Sequence, residues 1–273
     1  MMPTLPRMFN LQNRVAIVTG GAGLLGVEFC RTLAHAGASV MVADINASSA
    51  QHVAEELQDE GLHVQAIVVD VSQPESVHQM VNQTIQAFHT LDILVNSAAI
   101  DPKFDPQHSR HTNDFETYPL ESWNQALLVN LTGVFLCCQA VSQPMLTQGQ
   151  GVIINLASMY GISAPDQRLY QQEGQPPQYK PVYYSVTKAG LLGLTSYLAA
   201  YYAGKNIRVN ALSPGGVYNG HDTEFVKSYS ARTILGRMAD KSDLNGALLF
   251  LASDASAYMT GANLVVDGGW TTW

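Results

Sequence analysis

A tyrosine and a lysine four positions apart, Tyr184 and Lys188, are the residues whose types and spacing could carry out chemistry. They begin and end the stretch YSVTK, and a separation of four places two side chains on the same face of a helix. A free phenol has a pKa of about 10. A neighbouring ammonium favours the phenolate and lowers that pKa toward working pH, so Tyr184 is a candidate general acid and base. The motif alone is also typical of an ordinary packed helix, so its meaning depends on the rest of the chain.

A glycine-rich loop near the start of the sequence predicts a phosphate-binding turn. Gly20, Gly23 and Gly26 follow the apolar run 15–19 and lead into an amphipathic helical pattern. Glycine permits a tight turn and lets backbone N–H groups approach a pyrophosphate, which the N-terminus of a helix also attracts. The strand, the loop and the helix together predict the opening unit of a dinucleotide-binding fold.

The acidic residue that ends the second apolar run indicates which dinucleotide is bound. Asp44 ends the stretch SVMVAD. A carboxylate at this point accepts hydrogen bonds from both hydroxyls of the adenosine ribose and repels a 2′-phosphate. The next residues, 45–47, include no Arg or Lys that could hold such a phosphate. We therefore predict NAD rather than NADP as the cofactor. The alternative role for Asp44 is that of an ordinary helix N-cap.

Apolar runs rich in β-branched residues alternate with helix-length segments along the whole chain, and this alternation predicts the fold. The predicted strands are 14–19, 38–43, 64–69, 92–96, 151–157, 207–212 and 262–266, and the predicted helices are 24–36, 47–60, 74–88, 119–147, 182–203 and 240–253. Strands separated by helices need crossover connections, which produce a parallel sheet covered on both faces. We predict one α/β domain over residues 1–273, a doubly wound (Rossmann) parallel sheet of about seven strands.

Three stretches fit neither a helix nor a strand: 101–118, 160–181 and 218–238. Loops beyond the carboxyl ends of parallel strands line the ligand crevice, and long irregular loops in a compact domain are usually functional. We predict that these three form the substrate mouth, with plain surface loops as the alternative. His108 and His111 in the first stretch have no third ligand at a diagnostic spacing, so no metal site is predicted.

Composition limits the partners and the compartment. The net charge of −8 argues against nucleic acid or an anionic membrane as a partner. No apolar run has the length of a membrane span, and the first residues lack the pattern of a signal peptide. Cys30, Cys137 and Cys138 show no metal spacing and are typical of reduced thiols in a cytoplasmic protein. The charged fraction of 13% is low, which favours surface hidden in subunit contacts.

The order and spacing of motifs along nearly the whole chain resemble those of the short-chain dehydrogenase/reductase family. Besides Asp44, the motifs are VTGGAGLLG (18–26), VVDVS (68–72), LVNSAA (94–99), VNLTGVF (129–135), NLASMYG (155–161), YSVTK (184–188), IRVNALSPGGV (207–217) and MTGANLVVDGG (259–269). The resemblance implies a Rossmann fold, a nicotinamide cofactor and the interconversion of an alcohol and a ketone.

The resemblance also implies four catalytic residues: Asn130, Ser158, Tyr184 and Lys188. Tyr184 would exchange the proton while hydride passes between the nicotinamide and the substrate carbon, and Ser158 would hydrogen-bond the reacting oxygen. Lys188 would hold the nicotinamide ribose and tune Tyr184, and Asn130 would anchor a water in the proton relay. Catalysis then depends on holding the hydride donor, the hydride acceptor and the proton source in contact.

By the same resemblance, NAD would lie along the carboxyl edge of the sheet. The cofactor-binding residues would be Gly20, Gly23, Leu25, Gly26, Asp44, Ile45, Asp70, Val71, Asn96, Ser97, Ala98, Tyr184, Lys188, Pro214, Gly215 and Val217. Within this set, Asp70 and Val71 would flank the adenine, 96–98 would lie against the middle of the cofactor, and 214–217 would lie against the carboxamide.

Two features depart from the commonest, short branch of the family. That branch has its middle loop glycine at the position of Leu24, whereas this chain has Gly23, as the longer extended branch does. The 26 positions from Ser158 to Tyr184 also exceed the short-branch interval. Because the chain length and the ending VVDGG match the short branch, we interpret 160–181 as an insert in a substrate loop. SMYG, APDQRLY and PGGVYNG resemble dehydrogenases of flagellin and surface-glycan modification.

Together these features predict an NAD-dependent oxidoreductase that interconverts a secondary alcohol and a ketone on a polar, sugar-like small molecule. We expect a cytoplasmic homo-oligomer, a tetramer or a dimer, without a nucleic-acid or membrane partner. Trp270 and Trp273 could pack against a neighbouring subunit or within the core. One alternative is a sugar-nucleotide epimerase or dehydratase that retains NAD, and another is a non-catalytic NAD(H)-sensing protein. The complete serine, tyrosine and lysine set speaks against the sensor.

Overall fold

The computed structural model describes residues 5–101, 113–171, 174 and 177–273. Within them the strands are β1 (Val15–Thr19), β2 (Ser39–Asp44), β3 (Val64–Val68), β4 (Ile93–Asn96), β5 (Gly151–Leu156), β6 (Ile207–Pro214) and β7 (Asn263–Val266). The α-helices are α1 (Leu5–Met8), α2 (Gly26–His35), α3 (Ala47–Asp59), α4 (Pro74–Phe88), α5 (Leu120–Leu127), α6 (Gly133–Gln148), α7 (Val182–Tyr201), α8 (Thr223–Ser230) and α9 (Asn245–Ala252).

The strands form one sheet in the order β3-β2-β1-β4-β5-β6-β7, and each pairing is parallel. Strands β2 and β3 are added on one side of β1, and β4 pairs with the other side of β1. This reversal opens a crevice beyond the carboxyl ends of β1 and β4, where ligands of doubly wound folds bind. The predicted fold class, a single-domain α/β Rossmann sheet, is confirmed.

Side chains of the central strands are buried on both faces of the sheet, as helices covering both faces require. All five residues of β1 are buried. Val15 and Ile17 belong to one apolar cluster together with residues of α4, α6 and α7. Ala16 and Val18 belong to a second cluster with residues of α2, α3 and α9. The alternation follows from the two-residue period of a strand, and it fixes the carboxyl edge of the sheet between two packed layers.

The predicted helix 119–147 is interrupted in the structure. Helix α5 passes into a π-helical turn (Leu128–Thr132) and then into α6. Within Leu120–Gln148, an 18-residue window has a mean hydropathy of 1.5, so this helix is long and apolar enough to cross a membrane by length and composition. The expectation that no apolar run reaches that length is therefore wrong. In this fold α6 packs against α4, β4 and β5, and packing on the sheet requires apolar residues on the inner side of the helix.

Two of the three irregular stretches have more structure than the sequence indicates. Helix α8 lies within 218–238. A single helical turn, Met159–Gly161, lies at the start of 160–181, and a second, Gln167–Tyr170, lies within that stretch. Such short helices show no recognisable hydrophobic periodicity in the sequence, because they span barely two turns or less. Of the stretch 101–118, residues 102–112 lie outside the described residues, and these include His108 and His111.

The insert 160–181 is attached to α8 and the segment after it. Asp166 accepts hydrogen bonds from the Arg168 and Arg232 side chains, at 2.8 Å and 2.7 Å. These two guanidinium groups hold the pKa of Asp166 far below its usual range. Leu169 packs in a third apolar cluster with Tyr229 of α8. The insert is therefore packed against the domain along one side of the site.

Candidate active site

The glycine loop between β1 and α2 has the close approaches that exclude a side chain. Gly20 has a φ of +63°, and a Cβ at this position would lie 2.7 Å from the Cα of Ala98. A Cβ at Gly26 would lie 2.0 Å from the carbonyl oxygen of Gly20. A Cβ at Gly23 would lie 3.2 Å from the same oxygen, a contact that a small shift relieves. Gly20 and Gly26 are thus required for the turn. The middle glycine, Gly23, is not, so its unusual position does not change the shape of the loop. Leu25, the N-cap residue of α2, has no side-chain capping bond.

Asp44, the last residue of β2, lies beside the glycine loop. Its carboxylate accepts the N–H of Ala22 in the glycine loop and the N–H of Asn46, both at 3.0 Å. The N-cap of α3 is Asn46, whose side chain accepts the N–H of Ser49. The alternative role of Asp44 as the cap of α3 is therefore wrong. Ile45 beside it is 69% exposed, so its side chain is open to a ligand at this edge.

Asp70 and Val71 follow β3 at the outer side of the crevice. One oxygen of Asp70 accepts the N–H and the hydroxyl of Ser72, at 2.9 Å and 2.6 Å, which leaves its second oxygen for other partners. Val71 is buried against the start of α6, because a Cβ at Gly133 would lie 2.8 Å from its Cγ2. The predicted adenine-flanking pair is thus held in a fixed turn.

Residues 96–98 connect the end of β4 to the glycine loop. The N–H groups of Ser97 and Ala98 face the hydroxyl of Thr19, at 3.2 Å and 3.3 Å. Asn96 is 2% exposed, and its amide donates to Asn155 of β5 at 2.9 Å. The side chain of Asn96 thus points into the sheet, and only its backbone can approach a cofactor in the crevice.

Ser158, Tyr184 and Lys188 meet at the carboxyl end of β5. Ser158 follows that strand, while Tyr184 and Lys188 lie in the first two turns of α7. The ammonium of Lys188 donates to the carbonyl of Leu156 at 2.7 Å and lies 5.8 Å from the centre of the Tyr184 ring. A Cβ at Gly161 would lie 2.7 Å from the Lys188 carbonyl carbon, so the turn after Ser158 presses closely on α7.

The pKa of Tyr184 moves in the direction opposite to the sequence-based expectation. Burial raises it, the negative charge of Asp101 raises it further, and the Ser158 hydroxyl opposes the rise. Lys188 does not reverse this shift, because its ammonium is directed to the Leu156 carbonyl rather than to the phenol. Burial also lowers the pKa of Lys188 to about 8. The lowered phenol pKa expected from spacing alone is thus wrong.

Asn130 lies in the π-helical turn, a feature that is frequent at functional sites. Its side chain accepts the N–H of Ile100 at 2.7 Å and donates to the carbonyl of Ile100 at 2.9 Å. Both ends of the amide therefore hold the chain just beyond β4. A water anchored by Asn130, as the family resemblance implies, stays a prediction. It would bind the backbone of this residue, the second N–H of its amide or the remaining lone pair of its amide oxygen.

The segment 214–217 continues β6 into the crevice. A Cβ at Gly215 would lie 2.8 Å from the Cα of Asp267, and the N–H of Gly216 donates to the hydroxyl of Tyr229. Val217 forms a bridge with Ala239. These contacts hold the segment close to the other strand ends, where the carboxamide-binding residues are predicted.

Several aromatic residues that the sequence did not single out surround Tyr184. Tyr160 contacts its ring edge-on, with the ring centres 6.4 Å apart, and the hydroxyl of Tyr170 donates to that of Tyr160 at 3.3 Å. Trp270 stacks on Tyr229 and is 8% exposed, whereas Trp273 is 78% exposed. Trp270 is thus a core residue of this chain, whereas packing of Trp273 against a neighbouring subunit stays a prediction. The aromatic residues form one wall beside the phenol.

The ends of two loops contribute an ion pair that spacing could not predict. Lys180, just before α7, binds Asp101, which follows Ile100 beyond β4, at 2.6 Å. The two residues are 79 positions apart, so no local pattern links them. Among the described residues, no group of three or more His, Cys, Asp or Glu side chains is arranged to hold a metal ion.

The residues at the crevice fit a dinucleotide. Gly20 and Gly26 permit the tight backbone turn that precedes α2, and Asp44 presents a carboxylate at the end of β2. A parallel sheet with this loop and a serine, tyrosine and lysine group at the same edge is the arrangement of a nicotinamide-dependent oxidoreductase acting on CH–OH or C=O groups. The chain belongs to the short-chain dehydrogenase/reductase family.

Comparison with known proteins supports that assignment. A family model described as enoyl-(acyl carrier protein) reductase matches residues 22–271. D-threitol dehydrogenase of Mycolicibacterium smegmatis is 35% identical over 96% of this chain and 95% of its own length. Galactitol 2-dehydrogenase (L-tagatose-forming) of Cereibacter sphaeroides is 35% identical over 97% and 98%. The structure of a gluconate 5-dehydrogenase of Burkholderia cenocepacia with NADP and tartrate superposes with a TM-score of 0.87, at 30% identity, over 99% of this chain and 100% of that one.

Proposed function

We propose that this protein is an NAD(H)-dependent dehydrogenase that interconverts a secondary alcohol and a ketone on a polyol or sugar-like substrate. The observation that carries the proposal is the grouping of Ser158, Tyr184 and Lys188 at the same sheet edge as the glycine loop and Asp44. The names of the relatives that act on threitol, galactitol and gluconate support a hydroxyl-rich substrate.

Each residue of the group has a role that follows from its chemistry. The phenol of Tyr184 takes the proton of the substrate hydroxyl in oxidation and returns it in reduction. The Ser158 hydroxyl hydrogen-bonds the reacting oxygen and holds it beside the phenol. Lys188 binds the nicotinamide ribose and favours the phenolate. The nicotinamide, when bound, accepts or supplies the hydride.

The proposed preference for NAD rests on the end of β2. The carboxylate of Asp44 adjoins the glycine loop, and among the described residues none of its hydrogen bonds or ion pairs involves a Lys or Arg. A 2′-phosphate would add negative charge beside this carboxylate, and like charges at close range are unfavourable. Because a related structure contains NADP, the cofactor comparison is part of the experiment below.

We further propose that the protein works in the cytoplasm as a homo-oligomer. Helices α5 to α7 expose large apolar or aromatic side chains, namely Leu120, Phe135, Val186, Tyr197 and Tyr201. A sizeable exposed apolar surface marks a contact with another chain. We expect light scattering of the purified protein to give a mass of a dimer or tetramer of the 29.6 kDa chain, and a monomer at micromolar concentration would contradict this proposal.

A screen of alcohols with both cofactors tests the proposed function. Purified protein is incubated with alditols, sugars, amino sugars, steroids and simple secondary alcohols, with NAD or NADP, and the absorbance of the reduced cofactor is followed. We expect oxidation of alditols or sugars, with a kcat/KM for NAD at least about tenfold above that for NADP, since one unfavourable charge contact costs a factor of this size. Amino sugars are included because the loop motifs resemble surface-glycan dehydrogenases.

Three results of the screen would contradict the proposal. A clear preference for NADP would overturn the role of Asp44. Activity on steroids or fatty ketones with none on sugars or alditols would overturn the substrate class. Protein that retains cofactor through purification and converts a sugar nucleotide without net release of NADH would instead support the epimerase or dehydratase.

A further inference from the structure

A second lysine lies on the ring of the proposed catalytic tyrosine. The ammonium of Lys180 is 4.0 Å from the centre of the Tyr184 ring, closer than that of Lys188 at 5.8 Å. It binds the carboxylate of Asp101 at 2.6 Å, and the Lys180 side chain is only 16% exposed. This Asp101–Lys180 pair is outside the serine, tyrosine and lysine group to which the proposed reaction is assigned.

The backbone on both sides of the pair is held in place. The N–H of Lys180 donates to the side-chain oxygen of Gln167 at 2.8 Å, which fixes this end of the insert. Asn130 holds both polar backbone groups of Ile100, directly before Asp101. Groups that are positioned before a ligand arrives lose little conformational freedom on binding. The pair therefore has the preorganisation of a binding site.

The charges of Asp101 and Lys180 affect the pKa values of the residues around the phenol. The charge of Asp101 raises the pKa of Tyr184, Tyr170 and Tyr183, and it also raises the pKa of Lys188. The charge of Lys180 lowers the pKa of Lys188. Both members are thus close to the proposed proton-transfer residues, as the 4.0 Å from the Lys180 ammonium to the centre of the Tyr184 ring also shows.

We propose that Asp101 and Lys180 are specificity-determining residues that bind neighbouring hydroxyl groups of a neutral polyol, next to the carbon that is oxidised. This inference rests on the proposed function. An ammonium has three donors and a carboxylate about four acceptor sites, so each member of the pair can bind a hydroxyl without giving up its partner. One substrate hydroxyl accepts from Lys180 and a second donates to Asp101.

The pair also selects against charged substrates. The pair carries no net charge, so a neutral polyol meets hydrogen-bonding groups of both signs without having to compensate a charge. A substrate carboxylate that approached Lys180 would also approach the negative charge of Asp101, and like charges in a partly buried site repel strongly. The pair therefore favours a neutral alditol over the corresponding hydroxy acid.

Substitution of the pair tests this inference by a change in substrate preference. We measure kcat and KM of wild type, Lys180→Met and Asp101→Asn with D-threitol, galactitol, 2-butanol and gluconate. Lys180→Met is expected to lower kcat/KM for the alditols about 10- to 100-fold more than kcat/KM for 2-butanol, the effect of one lost hydrogen bond to a charged group. Any effect of the uncompensated Asp101 charge on the phenol is shared by both kinds of substrate and cancels in this ratio. Asp101→Asn leaves the Lys180 charge uncompensated, so the ratio of gluconate to alditol activity is expected to rise about tenfold.

Controls separate binding from folding and from tuning of the phenol. Lys205→Met removes an exposed lysine after α7 and is expected to change nothing. If Lys180→Met is poorly folded, Lys180→Gln and Asp101→Asn give the same comparison. Equal losses of kcat/KM on alditols and on 2-butanol, or no loss on either, would overturn the inference. The proposed function would still stand if the wild-type protein oxidises alditols. Wild-type protein that oxidises only hydroxy acids would overturn the preference for a neutral substrate.

Discussion

Replacing Tyr184 with phenylalanine is expected to lower kcat for alcohol oxidation by on the order of 10³, with KM for NAD within about twofold of wild type. The substitution removes one oxygen atom, and that oxygen is the proposed proton acceptor. The ring keeps its edge-on contact with Tyr160, so the fold and the cofactor crevice are preserved. Steady-state kinetics with the best alditol, together with cofactor binding followed by fluorescence, measure both parts of this prediction.

The neighbouring residue supplies a control of identical chemistry. Tyr183 is 3% exposed, and its hydroxyl has no hydrogen-bond partner among the described residues. Tyr183→Phe therefore removes an unsatisfied buried group, and we expect unchanged kcat and an equal or higher unfolding temperature. Comparable activity losses in the two variants would contradict the assignment of Tyr184. Unchanged function of Tyr184→Phe would favour the NAD(H)-sensing alternative.

The pH dependence of the wild-type protein follows from the direction of the pKa shift. Because burial and Asp101 raise the pKa of Tyr184, the phenol is protonated at neutral pH. Reduction needs the protonated form, and oxidation needs the phenolate. We expect kcat/KM for alcohol oxidation to increase up to about pH 8, the pKa of Lys188, above which loss of that ammonium limits any further increase, while kcat/KM for ketone reduction stays level or falls.

Replacing Lys188 with methionine is expected to lower kcat/KM by about 10²- to 10³-fold without unfolding the protein. The substitution removes the cation that is proposed to bind the nicotinamide ribose and to favour the phenolate. Loss of such a partner for charged or strongly polar groups has effects of this order. Methionine has a similar length and suits the buried position, since Lys188 is only 5% exposed. Activity assays and thermal unfolding of the same samples separate the two effects.

The stability of this variant has a pH signature that a structural defect would not produce. The folded-state pKa of Lys188 is about 8, below its ordinary value of 10.5. Between these values the unfolded chain holds a proton that the folded chain has released, so the contribution of Lys188 to the free energy of unfolding increases with pH. We expect this slope to disappear in Lys188→Met. Lys205→Met is the control, and an equal slope in both variants would show that Lys188 does not titrate in this way.

Local sequence patterns predicted most of the fold and the members of the candidate site. The strand segments lie within one or two residues of their predicted bounds for β1 to β5, because short apolar runs between helices have one packing solution in a parallel sheet. Tyr184 and Lys188 lie on α7, as their spacing predicts. The glycine loop and Asp44 lie together because β1 and β2 are adjacent, parallel strands.

Other features depend on contacts between distant segments. Helix α8 is too short for a periodic pattern, and it is stabilised by packing against the insert, where Tyr229 and Leu169 share a cluster. The amide of Asn130 is bound to Ile100, 30 positions away. The membrane-length apolar helix reflects packing on the sheet and an exposed apolar side. None of these can be inferred from the type of a residue and its immediate neighbours.

The sequence by itself determined the fold class and indicated the glycine turn, because periodicity and spacing along one segment control these properties, while the order of motifs along the whole chain pointed to the proposed acid–base pair. The tertiary structure decided which glycines the turn requires, since backbone atoms closely approach Gly20, Gly21 and Gly26 but leave more room at Gly23. It also decided the direction of the Tyr184 pKa shift, because burial and the charge of Asp101 act through space. The pairing of Asp101 with Lys180 over the phenol arises in the same way, from two loops that meet only when the sheet is assembled.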